Sequence, residues 1–245
     1  KQITFDFPSS LTSIGNNAFN GCSSFDKLVI PSSLKVIKEY AFQSCSGFKG
    51  DLKLTDNIVS IGNNGFAGCT GFNGNLTLSK SLAYINESVF QECGFTGHLT
   101  IPKNIKVIGK YAFDNCHGFK GLTIEYNVID IGNNSFHLCS GMTGSLIIPD
   151  SVRYIRERAF SQSGFDGELV LSSSLKIIES YSFSLTHFSR VIFKGKNNPE
   201  CSVRSFDAVD VVYVTDIYED KSFCEIGIHY IDYSSTPKKK FGAGI

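Results

Sequence analysis

The sequence has no surplus of either charge: 23 Lys and Arg stand against 23 Asp and Glu. Phosphate binding needs a basic footprint, so this balance removes the electrostatic case for a DNA or RNA partner. No apolar run approaches the roughly 18 residues that span a bilayer, and no charged-then-apolar leader opens the chain. Close cysteine pairs of the C-x₂-C kind are missing, and with them the usual zinc spacing. Also missing are H-E-x-x-H, G-x-S-x-G and a phosphate-cradling glycine loop. The five histidines (His98, His117, His137, His187, His229) share no register, and the acids are scattered among Lys and Arg. Solvated surface is the expectation for all of them, with no catalytic residue, no metal and no cofactor.

What the sequence does have is a period. A Phe recurs at positions 19, 42, 66, 90, 113, 136, 160, 183 and 206, always 23 or 24 residues apart. Phe19, Phe42, Phe66, Phe90, Phe113, Phe136, Phe160, Phe183 and Phe206 are therefore the expected structural core. So regular a repeat means a solenoid, in which each unit buries its apolar side only against its neighbours. A second aromatic column follows at Phe25, Phe48, Phe72, Phe95, Phe119, Phe165 and Phe188, with Met142 in the missing slot. Together the columns hold sixteen of the 21 Phe, which points to a stacked aromatic core.

Between the aromatics lie alternating apolar pairs: Phe5/Phe7, Leu28/Ile30, Leu52/Leu54, Leu76/Leu78, Leu99/Ile101, Leu122/Ile124, Leu146/Ile148, Leu169/Leu171, Val191/Phe193 and Val212/Val214. Their period of two predicts short strands with one face buried, stacked into a single parallel ladder. An L-x-x-I element comes next (Leu11/Ile14 through Leu175/Ile178), spaced for a bent or bulged strand. A polar corner, Gly-Asn-Asn in three units, reads as a turn. The anchor Phe should then sit in a short helical or 3₁₀ turn. Glycines at 50, 74, 97, 121, 144 and 167 mark the return into the next strand.

Six cysteines (Cys22, Cys45, Cys69, Cys93, Cys116, Cys139) hold one register three residues after the anchor, where later units place Ser163 and Thr186. Equivalents on stacked strands lie about 4.8 Å apart, whereas a disulfide prefers a Cβ separation of about 3.8 Å. A column of small buried thiols, interchangeable with Ser and Thr, fits better. Cys201 and Cys224 lie outside the column, one repeat apart, and leave a terminal disulfide open. Three glycosylation sequons, at Asn75, Asn86 and Asn133, would suit an exported protein, though Asn, Ser and Thr are common enough here to produce them by chance.

The unit L-x-x-I-x-x-x-A-F-x-x-C-x-x-F-x-G-x-L-x-I-P resembles the BspA-like leucine-rich repeat, over roughly residues 3–214. Ala-Phe at 18–19, 41–42, 112–113 and 159–160 carries the likeness, and the Asn ladder of ordinary horseshoe repeats is absent. The resemblance implies a leucine-rich-repeat solenoid, a β-dominated right-handed superhelix of short parallel strands and short helical turns. It also implies a surface antigen at the cell surface or outside the cell, binding host or extracellular-matrix protein, in some members with a C-terminal membrane anchor. The family defines no catalytic residues.

The expected organisation is repeats over 1–214, a C-terminal cap over 215–233 and a disordered tail over 234–245. The abrupt start without a polar cap suggests a piece of a longer chain. Lys238 to Lys240 would flank a membrane anchor beyond the chain or belong to a soluble tail. The outward row between the strand pairs runs Asp6, Val29, Lys53, Thr77, Thr100, Thr123, Ile147, Val170, Ile192, Tyr213. Its last four members form a contiguous apolar stripe, the expected ligand-binding residues; strand propensity or cover by the cap is the plainer account. A host- or matrix-binding surface protein without enzymatic activity is the leading expectation. A structural spacer, an intracellular scaffold and a polysaccharide-acting enzyme are the alternatives, the last needing two acids in one groove.

Overall fold

Each coil of the chain lays its apolar residues on those of the coil before, and the core is one continuous column. The structure is a computed structural model that describes residues 7–202, 204–206, 209 and 211–231. The expectations for Phe5, Asp6 and the tail lie outside the described residues. Among those described, the chain is a parallel-strand solenoid of about nine coils with no helix.

One flank carries the strands built on the alternating pairs. They are Leu52–Lys53, Leu76–Thr77, Gly97–Ile101, Phe119–Ile124, Leu146–Ile147, Glu168–Leu171, Arg190–Phe193, Val211–Val214 and Gly227–Tyr230. All their pairings are parallel; one register shift, a bulge between Gly97 and His98, interrupts the pair with Phe119–Ile124, and Leu146, Leu169, Val191, Val212 and Ile228 form one row on successive strands. The single ladder expected from the sequence is instead three blocks, of two, two and five strands. Leu28 and Ile30 are buried without forming a strand.

Strand length follows the small variation in the period. The two-residue strands at 52, 76 and 146 lie in 24-residue units, and the longer strands from 97, 119, 168 and 190 all lie in 23-residue units. With one residue fewer to cover the same circuit, the chain is drawn out into extended backbone. The unit containing Leu28 is the exception, being short and strandless.

The L-x-x-I element forms a second flank. It is a two-residue strand in each coil, such as Val107–Ile108 and Asp130–Ile131, not one bulged strand. These pair in parallel as a three-stranded and a six-stranded sheet, the latter ending on Glu200–Cys201.

The Phe corner differs from expectation. It holds no helical turn because two of its residues lie in the left-handed region, two before and two after each anchor from Phe19 to Phe183. Tyr111 (φ 56°) and Asn115 (φ 60°) flank Phe113, and Asn134 (φ 54°) and Leu138 (φ 57°) flank Phe136. A right-handed helix cannot pass through such residues. Backbone N–H groups here alternate. Those of Tyr111, Phe113 and Asn115 donate to Asn133, Ser135 and His137 of the next coil, at 2.8 to 2.9 Å. Those of Ala112, Asp114 and Cys116 donate three residues back in their own coil, at 3.2 to 3.3 Å. The corner therefore satisfies its backbone like a sheet while turning like a bend.

Inside this frame the anchor rings stack face to face from Phe19 to Phe206, with centroids 5.0 to 5.7 Å apart and planes within 12°. The second column meets them edge-on, as Phe119 does Phe113 at 6.2 Å. Each such ring, fully buried, contributes on the order of 2 kcal/mol.

Candidate functional site

Strand register brings Ile147, Val170, Ile192 and Tyr213 into one row on adjacent strands of the five-stranded block. Period-2 alternation turns them away from the core residues Leu146, Leu169, Val191 and Val212. Ile147 is 62% exposed, and the other three are half-buried.

Tyr213 is covered by two neighbours that the sequence reading did not place at the site. The Arg190 guanidinium lies 4.0 Å from the Tyr213 ring centroid, a cation–π contact. It is held toward Glu168 of the preceding strand at 3.7 Å. His229, the next member of the row, stacks on Tyr213 with centroids 6.0 Å apart. Arg190 and His229 thus border Tyr213 from the strands on either side. The available signal was register alone: His229 falls one short unit after Tyr213, in a region where the repeat has decayed. The earlier members, Lys53, Thr77, Thr100 and Thr123, are exposed and polar, with His98 Nε2 2.8 Å from the Thr123 hydroxyl.

The remaining sequence candidates settle into structural places. Cys45, Cys69, Cys93, Cys116 and Cys139 are buried free thiols. Each donates to the carbonyl of the anchor Phe one coil back, as Cys116 Sγ does to Phe90 O at 3.0 Å. Burial pushes the Cys93, Cys116 and Cys139 thiols up from their ordinary value, which keeps them protonated and unreactive. Ser163 and Thr186 keep the place and turn the bond to their own coil's Phe carbonyl, both at 2.6 Å. Cys201 and Cys224 form a disulfide. His137 departs from the solvated expectation: its Nδ1 is 2.8 Å from Asp114 Oδ1, and Asp114 is buried.

Arg156 gathers Asp130 at 2.6 Å and Glu179 at 2.9 Å across three coils and lies over the Tyr154 ring. The Asp130 carboxylate is the main cause of its raised pKa. A notch of about 640 Å³ between Lys80, Asn104 and Tyr126 holds one carboxylate, Glu125, which accepts the Lys103 N–H. Another, of about 360 Å³, holds Glu200 and Glu225, both exposed, without the burial that tunes a catalytic acid. Among the described residues, no group of three His, Cys, Asp or Glu is placed to hold a metal, and no helix is long and apolar enough to cross a membrane.

A stack of 23- and 24-residue coils with this Phe corner is a leucine-rich-repeat solenoid. The chain belongs to the BspA type leucine rich repeat region family, whose model matches six copies over residues 1–120, 49–165 and 106–236. Among solved structures it is similar to a T. pallidum leucine rich repeat protein, at 21% identity and a TM-score of 0.54, covering 68% of this chain and 73% of that one. A leucine rich cell surface protein from Faecalibacterium prausnitzii gives 20% identity and a TM-score of 0.43, covering 78% and 73%. A search of curated proteins by sequence finds no match.

Proposed function

We propose that the chain is a non-enzymatic binding protein, displayed at the cell surface or released from the cell, that recognises a host or extracellular-matrix protein. The contact is made by the C-terminal half of its strand face. The observation that carries this reading is the apolar row Ile147, Val170, Ile192 and Tyr213, in register on one sheet and ending on Arg190 and His229. A flat apolar stripe with an aromatic and an arginine at one end has the composition of an interface hot spot. The disulfide supports placement in an oxidising compartment.

The test is capture from matrix and host-surface protein mixtures by the intact chain and by an Ile147→Lys, Ile192→Lys variant with the same thermal melt. A partner held by the intact chain and lost by the variant is the expected result. Equal capture by both moves the contact to another face. Capture by neither favours a spacer, a reading that the bland Lys53 to Thr123 half of the face suits.

A further inference from the structure

The three sequons are alike in sequence and unlike in the fold. In Asn86-Glu-Ser88, the Asn86 amide donates a 2.6 Å bond to Ile61 O from a half-buried position, and Ser88 is 5% exposed. In Asn133-Asn-Ser135, Asn133 is half-buried and Ser135 is wholly enclosed. In Asn75-Leu-Thr77 both Asn75 and Thr77 are exposed, on the extended strand Leu76–Thr77 and the residue before it. The Asn75 carboxamide lies between coils. Its Nδ2 makes one long 3.4 Å contact to Asp51 Oδ1, and its Oδ1 lies where a Cβ on Gly97 would come within 2.3 Å. One Nδ2 hydrogen is directed at Asp51, and the other has no partner among the described residues.

We infer that Asn75 is an N-linked glycan acceptor, and that Asn86 and Asn133 are not. The inference rests on the export reading above, for which the Cys201–Cys224 disulfide is the separate support. Transfer joins the sugar C1 to Asn75 Nδ2 with loss of one amide proton. It breaks the C1–O bond of a polyprenyl-pyrophosphate oligosaccharide donor, and the polyprenyl pyrophosphate leaves. Thr77, paired beside Lys53, marks the polar half of the strand face. Three coils of about 4.8 Å separate it from Ile147, so the glycan stands about 14 Å from the apolar row. It covers the half that lacks contact residues and leaves the C-terminal half clear.

The experiment secretes the chain, behind an added signal sequence, from a eukaryotic cell line. Enzymatic deglycosylation in ¹⁸O water then converts each glycan-bearing Asn to labelled Asp, read by peptide mass spectrometry. Label at Asn75 alone is expected, with complete loss of the glycan mass shift in Asn75→Gln. An unlabelled Asn75 in secreted, disulfide-bonded protein overturns the inference. So does label at Asn86 or Asn133 in material that melts like the deglycosylated chain. Occupancy is read without any ligand, so failure here and failure of the strand-face contact are told apart.

Discussion

At the Phe corner one coil can be laid over the next: Phe42, Phe66, Phe90 and Phe113 stack at 5.2 to 5.7 Å, with the same bonds from coil to coil. The strand face has the same backbone register but no such sameness. Its outward residue runs from Lys53 through three threonines to Ile147, and then to a tyrosine flanked by arginine and histidine. The corner repeats because every coil must meet two neighbours of its own kind, so a residue that departs from the column disturbs both. The face meets solvent or a partner and is free to vary. In a solenoid, periodic positions therefore report on stability, and the positions that break period are where binding is sought.

That contrast can be broken most forcefully at its centre. Phe113 is fully buried, with Phe90 and Phe136 both at 5.4 Å. Phe113→Ala is expected to cost about 3–5 kcal/mol in urea unfolding, through lost burial and the cavity left in the stack. Ile147→Lys, on the face, should stay within about 0.5 kcal/mol of the parent. Comparable losses at the two sites would sink the division of labour between corner and face.

The C-terminal end tests whether the corner's order needs help where the repeat decays. Cys201 continues the second ladder beside Ile178, and Cys224 lies 23 residues on, one coil away. The disulfide takes the place of the hydrogen-bonded rung that a further regular coil would supply. Removing it by Cys201→Ser and Cys224→Ser should destabilise that end by about 3 kcal/mol, the chain-entropy value for a loop of this size. Amide exchange should quicken in Val211–Val214 and Gly227–Tyr230 and stay unchanged around Phe66 and Phe90. Uniform quickening along the chain would mean that the solenoid unfolds as one unit.

A smaller loss is expected where coils touch through backbone. The glycine before the second aromatic is a column of its own, and a Cβ on Gly118 would lie 2.2 Å from Phe95 O. Gly118→Ala must push adjacent coils apart locally, at a cost of about 2 kcal/mol in thermal or urea unfolding. The same change at exposed Gly15, where an added Cβ meets nothing within 4 Å, should be near neutral.

Much of this was legible in the sequence. The Phe columns, the thiol register with its Ser and Thr substitutes, and the inward-facing pairs all show as coincident columns, because packing acts on side chains and side chains are what a sequence spells. Backbone conformation was hidden. Asn17, Asn64 and Asn134 hold left-handed positions in the Gly-Asn-Asn units that read as turns, but elsewhere the same positions are filled by Tyr40, Tyr111, Arg158, Leu138 and Leu185, whose identity does not announce the bend that replaced the expected helical turn. The three-block division of the first ladder was hidden for the same reason. At the candidate site, register found Ile147 to Tyr213. Arg190 and His229 escaped because neither has a counterpart in neighbouring coils: one sits two residues outside its row, and the other lies past the last clear repeat.

Those left-handed positions offer the finest test, because there the corner's regularity runs against local preference. Leu185 has φ 53° and is 61% exposed, two residues after Phe183. Gly21 and Gly68 hold the equivalent position at φ 74° and 71°. The Leu185 side chain, mostly in solvent, contributes little burial to offset a conformation that costs an L-residue roughly 1–2 kcal/mol. Leu185→Gly should therefore raise stability by about 0.5–1 kcal/mol, after allowing for the extra freedom that glycine gives the unfolded chain. Val59 is the control: it is 53% exposed and at ordinary negative φ, so Val59→Gly should lower stability. Opposite signs at these two sites would show that the coil-to-coil bonds hold the corner bent against its own residues. A loss at both would place Leu185 in the packing after all, and the corner's backbone would then be unstrained.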